Sequence, residues 1–96
     1  MHFEWDKAKS LANEKKHGVT FEEAQTVFFG EEAILFDDPD HSEEEERFIL
    51  LGPSTVLSIL VVVHCYREAS GAIRIISARH ATRRERRAYV DHRSRQ

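Results

Sequence analysis

Residues that handle charge and protons crowd between positions 64 and 87: His64, Tyr66, Arg67, Arg74, Arg79, His80, Arg83, Arg84, Arg86 and Arg87. From Arg67 onward every strong cation is an arginine, nine of them with no lysine. The guanidinium fork suits two-point contact with phosphate or carboxylate, whereas lysine offers a point charge. RNA carries its own nucleophile, the 2′-OH, so cutting it requires a base, a proton donor for the leaving oxygen and cations for the charge that builds on phosphorus. Histidine and arginine suffice for that chemistry, with no cofactor and no metal. The same residues also suit a non-catalytic basic module that binds nucleic acid or an acidic protein partner.

Other chemistries fit less well. Asp37, Asp38, Asp40, His41 and Glu43 lack the glycine and terminal glutamate of a calcium loop, so DDPDHSEEEE reads as a solvated, mobile acidic loop. No GxGxxG or GxxxxGK[ST] stretch is present to cradle a nucleotide. Cys65 is the single cysteine, which rules out an internal disulfide and a zinc site built on cysteine pairs.

At 96 residues and 11.2 kDa the chain has room for one domain, expected to span 1–96. It is 41% hydrophobic and 32% charged with a mean hydropathy of −0.52, and its longest apolar stretch, Val56 to Val63, is far too short to span a membrane. The opening MHFEWDKAKS has neither the apolar core nor the cleavage site of a secretory signal, which predicts a cytoplasmic location. The net charge of −3 hides a division: residues 1–66 hold 5 basic and 14 acidic side chains, a net of −9, and residues 67–96 hold 9 basic and 3 acidic, a net of +6. The C-terminal third is a cationic element suited to a polyanion.

The elements that must position these residues follow from periodicity. His2–Trp5 alternates as a short strand. Asp6 caps a helix through KAKSLANEKKHG that presents Ala8, Leu11, Ala12 and Lys15 on one face and stops at Gly18. Thr20 and Glu23 have capping-box spacing before a second helical stripe of Phe21, Ala24, Val27 and Phe28. Strands are expected at Ala33–Phe36, Arg47–Leu51, Val56–Tyr66 and Ala72–Ala78, the last three a meander broken at Gly52-Pro53-Ser54 and Ala69-Ser70-Gly71. Thr82 and Glu85 open a last helix running to about His92. The order β-α-α-β-β-β-β-α predicts an α+β domain, an antiparallel sheet with helices on one face and the other face free for a ligand. Strict alternation would put Arg74 and Arg79 on opposite faces of the last strand.

Three segments together, FEWDKAKSLANEKKHGVTFEEAQTVF, DDPDHSEEEERFILLG and IRIISARHATRRERRAY, resemble the BrnT family over nearly the whole chain. The resemblance implies a RelE-like ribonuclease fold and the role of toxin in a type II toxin-antitoxin pair. It implies a DNA-binding partner, a BrnA-like ribbon-helix-helix antitoxin. Two antitoxin and two toxin chains would form a heterotetramer that masks the cationic face and reaches operator DNA only through the antitoxin.

By similarity, Trp5 in EWD, Arg67, Arg79 in ISAR and Arg83 are carried over as functional; the chemical argument adds Arg47 and His64. The expectation is a catalytic set of His64, Arg67, Arg79 and Arg83, with Trp5, Arg47, Arg74, His80, Arg84 and Arg87 binding RNA. The chain departs from the family pattern at Lys7, where EWD-Pro is common, at His80, where a second arginine often follows ISAR, and at Pro53, where a basic residue is frequent.

Overall fold

The structure, a computed structural model, describes residues 1–40 and 46–95. The expectation of a mobile acidic loop falls largely on residues 41–45, outside the described residues. Its strands are β1 (Phe3–Glu4), β2 (Ile34–Asp37), β3 (Phe48–Pro53), β4 (Ile59–Arg67) and β5 (Ala72–His80). Its helices are α1 (Lys7–His17), α2 (Phe21–Gln25), continued by a 3-10 turn over Thr26–Phe29, and α3 (Arg83–Ser94). Among the described residues no helix is long and apolar enough to cross a membrane.

The five strands lie in the order β1-β5-β4-β3-β2. β2 to β5 form the expected antiparallel meander, and β1 adds a short parallel edge through Phe3↔Ile73 and Glu4↔Arg74. Gly52 and Pro53 do not break the chain as expected; they end β3, and the reversal comes at Ser54–Ser58 with Leu57 at φ 64. Proline is tolerated at a strand end, and Gly52 is required because an added Cβ would sit 2.8 Å from the Cβ of Ala33 and 2.9 Å from its Cα.

Both long-helix caps follow the sequence. Asp6 accepts from the Lys9 amide at 2.9 Å, which holds its carboxyl below the usual carboxylate range, and Gly18 adopts the left-handed conformation at φ 72. Thr82 and Glu85 make a complete capping box on α3. The box at α2 is only half formed: Thr20 accepts from the Glu23 amide, but the Glu23 carboxylate takes the Ser54 hydroxyl at 2.8 Å and so ties α2 to the β3–β4 turn.

The main core lies between the sheet and α1–α2, with Val19, Phe21, Ala24, Val27, Leu50, Leu60, Val62, Ile75 and Ala78 buried. The face that α1 turns inward is not the expected one. Ser10 and Asn13 are buried, while Leu11 is 60% exposed and Ala8, Ala12 and Lys15 face solvent. β1 covers only the start of β5, so the N–H and C=O of Ala78 would otherwise be orphaned. Asn13 Nδ2 donates to Ala78 O at 2.8 Å and to Val19 O at 2.9 Å, and Asn13 Oδ1 accepts from Ala78 N at 3.1 Å. One side-chain amide thus does the work of a missing strand, and that requirement outweighs burial of a single leucine.

The opposite face is not wholly bare. Tyr89 of α3 packs there with Leu51 and Val61, and its hydroxyl donates to Glu32 O at 2.9 Å. α1 and α2 therefore share one face of the sheet, while α3 docks one end of the other.

Candidate active site

β4 alternates as expected: Leu60, Val62 and His64 turn toward α1 and α2, and Val61, Cys65 and Arg67 turn the other way. β5 does not. Its register runs Val63↔Ser77 and then His64↔Ile75, which leaves Ile76 as an extra residue and makes a β-bulge. The bulge inverts the alternation. Arg74, opposite Cys65, and Arg79, opposite Val61, consequently project from the same face. That Ile75 and Ala78 both lie in the helix-side core confirms the shift.

Ile49 and Leu51 of β3 belong to this face as well, and alternation carried back one step beyond the strand puts Arg47, whose Nε is buried, on the same side. The result is a strip with an apolar floor and arginines along it. Arg79 stands near the α3 end; Arg74, Arg67 and Arg47 stand toward the other end, Arg67 about 20 Å from Arg79 along the strand direction at ~3.4 Å per residue. Arg67 Nε lies 3.9 Å from Glu4 Oε1, a loose exposed pair.

Arg79 is held far more tightly. Its Nη1 donates to Glu85 Oε1 at 2.7 Å and to His80 O at 3.2 Å, and its Nη2 donates to Glu85 Oε2 at 2.9 Å. The hydrogen bonds to Arg79 hold the Glu85 carboxyl down to about 2, and Glu85 in turn raises the Arg79 pKa above its ordinary value. Both groups are fully ionised across the physiological range. Glu85 is the member of this cluster that sequence reasoning did not place beside Arg79, since its capping-box role accounted for it completely.

The expected catalytic set does not come together. His64 is 0% exposed, on the helix side, with Phe28 edge-on at 4.8 Å and Nδ1 at 3.2 Å from Val62 O. Its Nε2 is buried with no hydrogen-bond partner, and desolvation lowers its pKa. A sealed imidazole behind the sheet does not reach a substrate on the arginine face. Trp5 also lies on the helix side, half-buried and packed edge-on against Phe21 at 6.0 Å, so it is a wall of the core rather than part of the arginine strip. His80, opposite Leu60, starts on the helix side but is exposed at the end of β5, adjacent to Arg79. Arg83, Arg84, Arg86 and Arg87 are exposed on α3, because Glu85 and Tyr89, four residues apart, take its inward face.

A family model described as "Ribonuclease toxin, BrnT, of type II toxin-antitoxin system" matches residues 5–85. The chain belongs to the BrnT family. The resemblance read in its three segments is thereby shown, and with it an antitoxin partner, which the type II class implies. The chain is also similar to the 1.1 Å crystal structure of the Brucella abortus ribonuclease toxin BrnT, with 27% identity and a TM-score of 0.66 over 86% of this chain and 99% of that one. A search of curated protein sequences finds no match. The α+β architecture is the one this BrnT relative has, and the BrnT family is a ribonuclease family.

Proposed function

We propose that this BrnT chain, with a RelE-like fold, is a metal-independent endoribonuclease that cuts RNA through the 2′-OH and thereby stops translation and growth. The observation that carries the reading is the anchored guanidinium of Arg79 at the end of a sheet face that also bears Arg47, Arg67 and Arg74. RNA lies along that face. Arg79 and Arg83 grip the scissile phosphate, and Arg74, Arg67 and Arg47 take neighbouring phosphates of the same strand. Arg84 and Arg87 on α3 extend the basic surface.

In the reaction a base removes the 2′-OH proton, O2′ attacks phosphorus, the P–O5′ bond breaks and an acid returns a proton to O5′. Arg79, already fixed in place by Glu85, stabilises the extra negative charge of the transition state without reorganising at the moment of reaction. His80, exposed at the end of β5 and next to Arg79 in the chain, is assigned the proton-handling role because it is open to solvent where the buried His64 is not; His64 serves the core.

A BrnA-like ribbon-helix-helix antitoxin silences the toxin by covering the arginine strip, in a heterotetramer with two toxins whose operator contact is made by the antitoxin. The test is cleavage of single-stranded RNA by purified chain in the presence of EDTA, beside the same reaction with 2′-deoxy substitution at the cleaved position. Cutting that persists in EDTA and disappears with the 2′-deoxy substrate is expected. Cutting abolished by EDTA, or indifferent to the 2′-OH, would overturn the mechanism.

A further inference from the structure

A guanidinium offers five N–H donors in a fixed plane. In Arg79, Nη1 and Nη2 meet the two oxygens of Glu85 end-on, and Nη1 also reaches His80 O. What is left is the other edge of the fork, Nε–H and the second Nη2–H, parallel and in the plane of the group. That edge is a complete two-point seat for a phosphate.

Glu85 is itself held by hydrogen bonds. Its Oε1 accepts from the Thr82 amide at 2.8 Å, and its own amide donates to Thr82 Oγ1 at 3.1 Å. The carboxylate is therefore fixed to the first turn of α3, a twelve-residue helix whose Tyr89 is buried against the sheet. It sets the direction of a side chain arising from a different element, β5.

We propose that Glu85 is the positioning residue of the ribonuclease reaction, holding the Nε/Nη2 edge of Arg79 toward the scissile phosphate. The inference rests on the ribonuclease reading above. It assigns the capping-box glutamate a second role, in which the helix N-terminus and the phosphate-binding arginine are built as one unit. The chemistry has a distinctive sign. Glu85 cancels part of the positive charge of Arg79, so it does nothing for RNA affinity; its contribution is orientation, which acts on the chemical step.

Glu85→Gln separates the two roles. The amide oxygen still accepts from Thr82, but the amide nitrogen opposes an Arg79 donor, so the two-point seat is lost. The expected result, with a short single-stranded RNA substrate, is a kcat at least ten-fold lower with KM unchanged or lower. Ala88→Gly, on the exposed side of α3, weakens the helix without touching Arg79 and keeps the wild-type kcat.

A second measurement uses methylguanidinium as the probe. It restores cleavage to Arg79→Ala, where Glu85 still seats it, and restores at least ten-fold less to Arg79→Ala combined with Glu85→Gln. A wild-type kcat in Glu85→Gln, an equal loss in Ala88→Gly, or equal rescue of the single and double variants overturns the inference. A wild-type chain that leaves RNA intact overturns the ribonuclease reading instead, and the inference falls with it.

Discussion

β4 shows two faces to two environments. Toward α1 and α2 it presents Leu60, Val62 and His64, all 0% exposed; toward the other side it presents Val61, Cys65 and the exposed Arg67. On the helix side even the polar atoms are enclosed, as the unpartnered Nε2 of His64 shows. On the other side Arg79 is tied by a carboxylate that lies itself at the surface of a helix. The difference teaches that residue type alone does not mark a catalyst. On the proposed reading, the histidine in the most sheltered part of the sheet serves stability, and the strand arginine at the rim serves chemistry.

Substitutions on each face test this division separately. The largest effect is expected from Arg79→Ala: RNA cleavage falls about 10²- to 10³-fold or more, the loss typical of removing one preorganised donor, with a thermal midpoint close to wild type. A steady-state cleavage assay beside a melting curve reads both. Leu60→Ala acts on the other face and gives the reverse pattern, a destabilisation of about 2–5 kcal/mol in denaturant unfolding with the active-site arginines untouched. Asn13→Leu leaves the Ala78 amide and carbonyl unsatisfied and lowers stability by roughly 2–3 kcal/mol, although it makes the buried side chain more apolar.

The smallest effect is a pH dependence. Burial lowers the His64 pKa below its ordinary 6.5, so near and below pH 6.5 the unfolded chain binds more protons than the folded one. Stability from this group is complete above pH 6.5 and is lost as pH falls toward the lowered value. The slope of unfolding free energy between pH 7 and 5 is expected to shrink in His64→Leu. The Glu85 carboxyl, held down to about 2 in the folded chain against an ordinary 4.5, stays ionised through that window and adds its own slope mainly below pH 5, where the unfolded carboxyl takes up a proton first.

Much of this was legible from local chemistry. Asp6, Gly18 and the Thr82–Glu85 box set the helix ends, and the β-branched runs set the meander, because caps and alternation act within a few residues. What stayed hidden was decided across the chain. The bulge at Ile76 carries no glycine to announce it, yet it brings Arg74 and Arg79 to one face. Asn13 lies 65 residues from Ala78, and the need it meets exists only once β1 proves too short to cover β5. His64 reads as a catalyst because it opens the stretch of sequence that carries Tyr66, Arg67 and the later arginines, whereas its neighbours in space are Phe28, Phe48 and Tyr66. Glu85 was visible as a cap, and its grip on Arg79 depended on where β5 delivers that arginine.

On the proposed reading the phosphate chemistry rests on the arginine face and not on His64 behind the sheet. A single comparison tests it: RNA cleavage rates of His64→Leu and Arg79→Lys, each shown to be folded by circular dichroism. The account predicts that His64→Leu cuts at close to the wild-type rate and that Arg79→Lys, which keeps the charge but loses the fork, is impaired by at least ten-fold. A folded His64→Leu protein that no longer cuts, beside an active Arg79→Lys protein, would contradict it.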